Sequence, residues 1–425
     1  MKEIFYPELS ERCYEQTLEN GLLVRVIPRP GFAKTLAFIA ADFGSLDTKF
    51  ELDGKRFAVP DGIAHYLEHK MFDLPNGNAM DEFAAYGAGN NAFTNYSMTA
   101  YYAECTEAAE ENLEILLRMV TTPYFTEESV EKERGIIAQE IRMYEDSADS
   151  AVYENLFALM FPEHPIRVPI AGTVESIRDI TPETLYACHR AFYDTANMML
   201  CVMGDVDPER IVEFVRSHTP ERSGVIAVRE KNAPEAMRGR AGRVEKRMEV
   251  SMPTFAIGFA SEPVSPGREV LRRETVGDLA AELLVGESSA LYQSLYEKNL
   301  IDSDFSGGFE QIRGLGMIEF SGDSVDPDAV ADAIVKEAER LAAEGFDPAA
   351  FTRAKHAMLG KRLRALDSFD GVCYRTCAYR FDGAEYLDCT EVTREVTLRD
   401  VRDFLHDVVR RENMAISVIR PIKEA

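Results

Sequence analysis

Two histidines and a glutamate lie close together in an otherwise largely apolar segment, Asp61–Phe72, whose sequence is DGIAHYLEHKMF. On an α-helix successive residues turn by about 100°, so His65 and His69 would point about 40° apart, with Glu68 about 60° to the other side of His65. A helix that is apolar on most sides is buried, and buried polar side chains need partners. One divalent metal ion satisfies both imidazoles, and zinc accepts histidine nitrogens at this spacing. The segment therefore predicts a zinc site.

A second interpretation stays open, in which both histidines are core residues bonded to backbone carbonyl groups. The neighbouring Glu68 and the apolar surroundings favour the metal. The other histidines show no ligand spacing and are interpreted as surface or core residues; they are His164, His189, His218, His356 and His406.

A catalytic zinc ion takes three protein ligands and keeps one position open, so a third ligand is expected elsewhere. The pattern over Thr126–Ser147 predicts a helix on which Glu133 and Glu140 lie within about 20° of each other, in an apolar stripe that includes Ile136. A carboxylate on a buried face is rare unless it is paired or bound to metal. We predict Glu140 as the ligand and Glu133 as the group that orients a histidine or a water molecule. The helical wheel alone also allows the reverse assignment, or an ion pair with a basic residue such as Lys70.

The elements that must position these residues form a mixed pattern of strands and helices. Pro60 and Asp61 are typical of the start of the histidine-bearing helix. Runs of β-branched and aromatic residues between turn residues predict strands at Leu22–Pro28, Thr35–Gly44, Asn91–Cys105 and Met198–Val206.

The two halves of the chain resemble each other. The segment Ala196–Gly204 matches Glu412–Arg420, and Tyr124–Ile141 matches Gly345–Leu363 at a similar offset. The shared order of elements predicts a duplicated domain of about 200 residues. The predicted fold class is α+β, with two homologous domains that each pack a mostly antiparallel sheet with helices.

Domain boundaries follow from a change in composition near residue 220. A basic segment punctuated by proline and glycine is typical of a linker, which we place at 226–245. This gives an N-terminal domain over 1–225 that bears the zinc site, and a C-terminal homologous domain over 246–425.

The second domain lacks the chemistry of the first. In the aligned helices, Glu133 and Glu140 correspond to Ala354 and Lys361, and no H-x-x-E-H pattern occurs in the second half. Only one half is therefore expected to bind metal.

Taken together, these motifs resemble the pitrilysin/insulinase (M16) superfamily of metallopeptidases, the inverzincins, whose signature is H-x-x-E-H. The matching segments are HYLEH at His65–His69, ERGIIAQE at Glu133–Glu140 and NAF at Asn91–Phe93. The resemblance covers essentially the whole chain and points to the short bacterial and processing-peptidase branch. It implies that the two domains form half of a clamshell-like chamber.

The resemblance implies roles for the polar residues. His65, His69 and Glu140 would hold one zinc ion per chain, which activates water and polarises the scissile carbonyl. Glu68 would take a proton from the water and pass it to the leaving amine. Glu133 would act in catalysis without binding the metal, by orienting a histidine or a water molecule.

The resemblance also implies how a substrate binds. An extended peptide would pair with the strand Asn91–Cys105 by β-augmentation. Asn91, Ala92 and Phe93 would then line the cleft beside the scissile bond. The expected substrates are short, unfolded peptides.

One departure from the family concerns the later half of the chain. Active members usually carry an arginine and, seven residues later, a tyrosine that hold substrate and stabilise the transition state. Within Leu291–Phe305 these positions are occupied by Tyr296 and Ser303, and neither replaces a guanidinium. We therefore expect a heterodimer with a homologous subunit that supplies the Arg/Tyr pair. A homodimer is possible but would lack those groups, and a non-catalytic scaffold or peptide-binding subunit is the alternative function.

Net charge, the length of apolar runs and cysteine spacing exclude further classes of protein. The net charge of −26 disfavours nucleic-acid binding. No apolar run reaches the roughly 18 residues of a membrane helix, and no secretory signal is visible. The seven cysteines show no C-x-x-C spacing. We expect reduced thiols and a cytoplasmic protein without membrane segments.

Overall fold

The computed structural model describes residues 1–221, 224 and 227–422. Within these residues the strands are β1 (Lys2–Tyr6), β2 (Glu11–Thr17), β3 (Leu23–Pro28), β4 (Thr35–Ala41), β5 (Lys49–Leu52), β6 (Lys55–Ala58), β7 (Asp73–Leu74), β8 (Gly77–Asn78), β9 (Gly89–Thr94), β10 (Thr99–Cys105), β11 (Met198–Gly204), β12 (Val228–Arg229), β13 (Gly242–Met248), β14 (Thr254–Ala260), β15 (Ser306–Ile312), β16 (Leu315–Asp323) and β17 (Ala415–Pro421).

The α-helices are α1 (Ile63–Lys70), α2 (Ala79–Ala85), α3 (Ala109–Thr121), α4 (Glu127–Glu145), α5 (Ala148–Met160), α6 (Pro182–Phe192), α7 (Pro208–His218), α8 (Arg268–Val285), α9 (Ala290–Glu297), α10 (Pro327–Glu344), α11 (Pro348–Ala365), α12 (Phe369–Phe381), α13 (Cys389–Glu395) and α14 (Leu398–Val408).

The chain forms two compact units. The first unit comprises residues 1–141, 169–231 and 365–381, and the second comprises 142–168, 232–364 and 382–425. Each unit has its own apolar core beneath its own sheet. The α+β class and the two sheet-based domains predicted from the sequence are confirmed.

The first unit contains a seven-stranded sheet in the order β1-β2-β3-β11-β4-β10-β9. All neighbours are antiparallel except β11 and β3, which run parallel. Strand β11 is buried along its whole length, because helices cover both faces of the sheet there. This explains its continuous apolar sequence, MMLCVMG.

The second unit repeats the central part of this arrangement. Its five strands are ordered β13-β17-β14-β16-β15, with only β13 and β17 parallel. This order matches β3-β11-β4-β10-β9 strand for strand, so β17 takes the place of β11. The internal duplication predicted from those two strands is therefore present in the fold.

The units do not coincide with the two halves of the sequence. Helix α5 packs on β13, β14 and β17 of the second sheet, whereas α12 packs on β4 and β11 of the first. The predicted boundary between 225 and 226 lies outside the described residues. The predicted linker, 226–245, contains β12, which pairs with β5, and the start of β13. Each half of the sequence therefore contributes one helix to the sheet of the other half, which we call the exchange of α5 and α12. The sequence pattern did not show it, because the sheet that a helix covers depends on tertiary packing.

The predicted single strand over Asn91–Cys105 is wrong, because the segment forms a hairpin of β9 and β10. The side-chain oxygen of Asn95 accepts hydrogen bonds from the backbone N–H groups of Ser97 (2.8 Å) and Met98 (2.7 Å). Such an asparagine turn reverses the chain without glycine or proline. The reversal leaves β9 at the edge of the sheet.

A search of the described residues for a helix both long and apolar enough to cross a bilayer finds none.

Candidate metal centre and active site

Helix α1 is held inside the first unit, as its apolar sequence predicts. Its residues are buried except His69, which is half-buried. The helix follows Gly62, whose φ is 89° and at which an added Cβ would lie 2.3 Å from the carbonyl oxygen of Ala171. Only glycine fits this turn without displacing the neighbouring backbone. The start of α1, and with it the direction of His65, is therefore fixed by close backbone packing.

Helix α4 brings Glu140 to the two histidines of α1. One oxygen of Glu140 lies 3.6 Å from Nε2 of His65, and the other lies 3.5 Å from Nε2 of His69. Donor atoms from the three residues all lie within 4.8 Å of one another. A tetrahedral zinc ion with bonds near 2.0–2.1 Å would separate its ligand atoms by about 3.3 Å. The two distances from Glu140 to the histidine nitrogens are close to that value, so this donor set fits zinc.

Glu133 contacts the opposite nitrogen of His69. Its carboxylate lies 2.9 Å from Nδ1 of His69, so Nε2 is left to face Glu140. Carboxylates commonly orient metal-binding histidines in this way. Lys70, considered from the sequence as a partner of either glutamate, forms its ion pair with Asp73 instead.

The pKa shifts follow from burial and from the surrounding carboxylates. Burial disfavours protonated His69, but the hydrogen bond to Glu133 and the charges of Glu68, Glu133 and Glu140 outweigh it and raise its pKa. Burial also raises the pKa of Glu68. Burial acts in the same direction on Glu133, but its hydrogen bond to His69 and the nearby positive charges prevail and lower its pKa. Several carboxylates around two imidazoles favour a cation at this place.

His65 has a nitrogen that the protein leaves unsatisfied. Its Nδ1 atom is buried and has no hydrogen-bond partner among the described residues. An unpaired buried polar atom destabilises a fold by about 1–3 kcal/mol. The other ring nitrogen, Nε2, is the atom that faces Glu140 and that a metal ion would use.

The burial of Glu140 corrects part of the sequence argument. The buried residues of α4 are Val130, Ile137 and Ile141, whereas Ile136 is 47% exposed. Glu140 therefore lies at the border of the buried stripe, not at its centre. The helical wheel ranked residues by hydrophobicity, but Ile136 faces solvent one turn before the carboxylate.

Glu68 has a partner that sequence reasoning missed. The hydroxyl of Thr94, at the end of β9, donates a hydrogen bond of 2.6 Å to Oε2 of Glu68. This contact places the end of β9 directly beside α1. The only signal in the sequence was the position of Thr94 immediately after Asn91–Phe93, within a segment wrongly predicted to be one strand.

The predicted substrate-binding residues lie on β9. Ala92 packs toward the core of the first unit, whereas Phe93 points to the opposite face and contacts the rings of Phe38 and Tyr374. Asn91 is exposed. Strand β9 pairs with β10 on one side only, so among the described residues its outer edge carries no neighbouring strand.

The residues at the family's Arg and Tyr positions lie in the second unit. Tyr296 is 51% exposed and stacks on Tyr292, with ring centroids 6.0 Å apart. Ser303 is exposed. Neither carries a positive charge.

Comparison with known families gives two matches along the chain. Residues 54–174 match the model of the insulinase family (peptidase family M16), and residues 179–358 match the model of the peptidase M16 inactive domain. The first region contains every residue of the candidate metal site. The second covers most of the unit in which the site residues are missing.

Relatives and solved structures agree with these matches. YmfH of Bacillus subtilis (strain 168), an uncharacterized zinc protease, is 38% identical over 99% of both chains. A crystal structure described as an M16-like peptidase from Alicyclobacillus acidocaldarius is 33% identical, with a TM-score of 0.93 over 98% of this chain and 99% of that chain. Pitrilysin shares the fold, with a TM-score of 0.78 and 17% identity, and this chain covers 47% of its length. The chain belongs to the M16 peptidase family.

Proposed function

We propose that the protein is a zinc-dependent endopeptidase subunit that hydrolyses short, unfolded peptides. The observation that carries the proposal is the convergence of His65, His69 and Glu140 at ligand spacing, beside a glutamate that is not part of the triad. The naming of its relatives as zinc proteases supports both the metal and the class of reaction.

Each polar side chain then has a distinct task. One zinc ion per chain, held by His65, His69 and Glu140, would supply a Lewis acid that activates water and polarises a carbonyl group. Glu68 accepts the proton of the attacking water and delivers it to the amine of the departing peptide. Burial raises the pKa of Glu68, which brings this carboxylate closer to the neutral range where a base can also return its proton. Glu133 keeps Nδ1 of His69 engaged.

Substrate binding is proposed for the free edge of β9. An extended peptide would add as a further strand, and its backbone would bond the outer edge of β9. Asn91, Ala92 and Phe93 would then lie along the bound segment. Because Thr94 of the same strand contacts Glu68, a peptide in this position passes next to the proposed base.

A partner subunit completes the proposal. The positions of the family's Arg and Tyr carry Tyr296 and Ser303, so a homologous chain is expected to bring those groups. The lone chain should bind zinc but cleave peptides poorly. Affinity capture from native cells, followed by mass spectrometry, should recover a subunit of similar length that carries the pair; robust activity of the isolated chain would argue against this.

Zinc analysis and turnover of matched variants test the central proposal. The native protein should contain about one zinc ion per chain, and His65→Ala should lose it. Glu68→Gln should keep the metal and lose turnover of unfolded peptides by a factor of about 10² to 10⁴. The exposed Glu131→Gln on the same helix as Glu140 serves as the control.

The outcomes separate the competing functions. A carefully prepared native protein without zinc would support the scaffold or peptide-binding function instead. Retained turnover in Glu68→Gln would exclude Glu68 as the base.

A further inference from the structure

Two threonine hydroxyls lie behind Glu68, on the side formed by the β9–β10 hairpin. Thr94 and Thr99 are directly opposite each other in the register of the two strands. Their hydroxyl oxygens are 3.3 Å apart, and Thr94 also bonds Oε2 of Glu68 at 2.6 Å. Thr99 is completely buried. We propose that Thr94 is a positioning residue that fixes the carboxylate of Glu68; this rests on the proposed role of Glu68 as the base.

Counting protons supports the direction of these bonds. The carbonyl oxygen of Phe43 only accepts, and Thr99 donates its single hydroxyl proton to it at 2.8 Å. Thr99 therefore has no proton left for Thr94. The hydroxyl proton of Thr94 is directed to Oε2 of Glu68, so the two threonine oxygens lie in contact without a hydrogen bond between them. Thr94 is held in place by its position in the hairpin, opposite the buried Thr99.

The bond selects which carboxylate oxygen is available for chemistry. A glutamate side chain has three rotatable bonds, and a buried one without partners has no preferred orientation for its oxygens. The hydrogen bond from Thr94 engages one lone pair of Oε2 and leaves both lone pairs of Oε1, so we assign proton exchange with substrate or water to Oε1. A carboxylate that is held in one orientation reacts without first losing rotational freedom.

A hydroxyl at this position is not required by the strand itself. Threonine pairs across strands also stabilise hairpins, and a purely structural role would predict that loss of the hydroxyl lowers only stability. Valine has nearly the shape of threonine, so Thr94→Val removes the donor and keeps the volume. Serine restores the donor, so Thr94→Ser separates hydrogen bonding from packing.

The test uses the native protein with any subunit that copurifies, and a quenched-fluorescence library of unfolded peptides. Thr94→Val should lower kcat by about 10- to 100-fold, the range for groups that orient a site, with KM and zinc content unchanged. Thr94→Ser should restore most of the turnover. Thr99→Val should give a smaller loss of kcat, because the hydroxyl of Thr99 donates to the carbonyl oxygen of Phe43 and not to Thr94. The control is Thr35→Val, a half-buried threonine in the same sheet whose partner on β10 is Cys105, at the opposite end from Thr99.

Two results would overturn the proposal. One is equal turnover in Thr94→Val and the native protein; the other is a Thr94→Ser variant as impaired as Thr94→Val. A crystal structure of zinc-loaded Thr94→Val provides a readout that does not need activity, since the Glu68 carboxylate should leave its native orientation. If the native protein held zinc but cleaved no peptide, the proposed function would fail. The orientation of Glu68 in the crystal structure of Thr94→Val would still decide the role of Thr94.

Discussion

In both units a helix of the first part of the repeat contacts a later helix through charged or polar side chains, but the chemistry of the two contacts is opposite. In the first unit, α1 and α4 face each other through His65, His69 and Glu140. In the second, Lys361 of α11 occupies the position aligned with Glu140, and its Nζ lies 3.2 Å from a carboxylate oxygen of Glu282 on α8. The crossing of α1 and α4 presents ligands for a cation, whereas the crossing of α8 and α11 already contains a positive charge, the ammonium group of Lys361. The strand order is shared, so the chemistry depends on a few side chains placed on a common frame.

The comparison also indicates which crossing carries a strong interaction. The side chain of Lys361 is 71% exposed, and an exposed ion pair contributes little to stability. The histidines and Glu140 are buried or half-buried and lie among other carboxylates. The first crossing should therefore be sensitive to substitution, and the second should be tolerant.

The largest expected effect sharpens the assignment of the two glutamates in the first unit. Glu140→Gln should weaken zinc binding by more than about 100-fold, because it removes a ligand. Glu133→Gln should weaken it by about 10- to 100-fold, because it only removes the partner of His69 Nδ1. Competition with a chelator of known affinity measures both. A larger loss for Glu133→Gln would mean that the two roles are reversed.

An intermediate effect concerns a buried carboxylate of the second unit. Burial, and after it the charge of Glu310, raises the pKa of Glu319 to about 7, and its Oε2 has no hydrogen-bond partner among the described residues. Because the folded pKa exceeds the usual value of 4.5, the folded state favours the protonated form and loses stability as the pH rises from about 4.5 through 7. Glu319→Gln should therefore be more stable than the native protein at pH 8, by about 2 kcal/mol after allowance for partial exposure.

Denaturant unfolding at several pH values measures this effect. The two proteins should approach equal stability below pH 4.5, and Glu339→Gln at an exposed position is the matched control. A constant difference at all pH values would mean that ionisation of Glu319 is not the cause.

The smallest effect is expected at the ion pair of the second unit. Lys361→Ala should change the free energy of unfolding by less than about 1 kcal/mol, and the change should shrink further in 1 M salt. Lys336→Ala, on α10 of the same unit, is the matched control. A loss of several kcal/mol would break the comparison, because it would show that the α8–α11 crossing depends on its charges.

The residues of the candidate site were predictable where local spacing determines geometry. His65 and His69 are one turn apart on a single helix, so their common direction follows from helix periodicity alone. The sequence repeat also predicted that β11 and β17 occupy equivalent places, each in its own sheet. These features need no knowledge of which surfaces pack together.

Features that depend on tertiary packing were not predictable in the same way. Glu140 lies near both histidines, but the argument that it centres a buried stripe was wrong because Ile136 is exposed. The turn at Asn95 has no glycine or proline, so the β9–β10 hairpin was predicted as one strand. The contact between Thr94 and Glu68 was hidden by that error, since only the reversal makes β9 the edge strand next to α1.

The exchange of α5 and α12 bears on how the chain is made. The outer face of β4 and β11 is apolar and includes Phe38, Met199 and Cys201, and it is covered by α12. During synthesis this apolar face stays uncovered until Phe369–Phe381 has left the ribosome, long after β4 and β11 are complete. A fragment cut near residue 225 would leave the face open to water and should aggregate, whereas adding the missing helix as a separate peptide should rescue it. Cooperative folding of the whole polypeptide is thus built into the order of its segments.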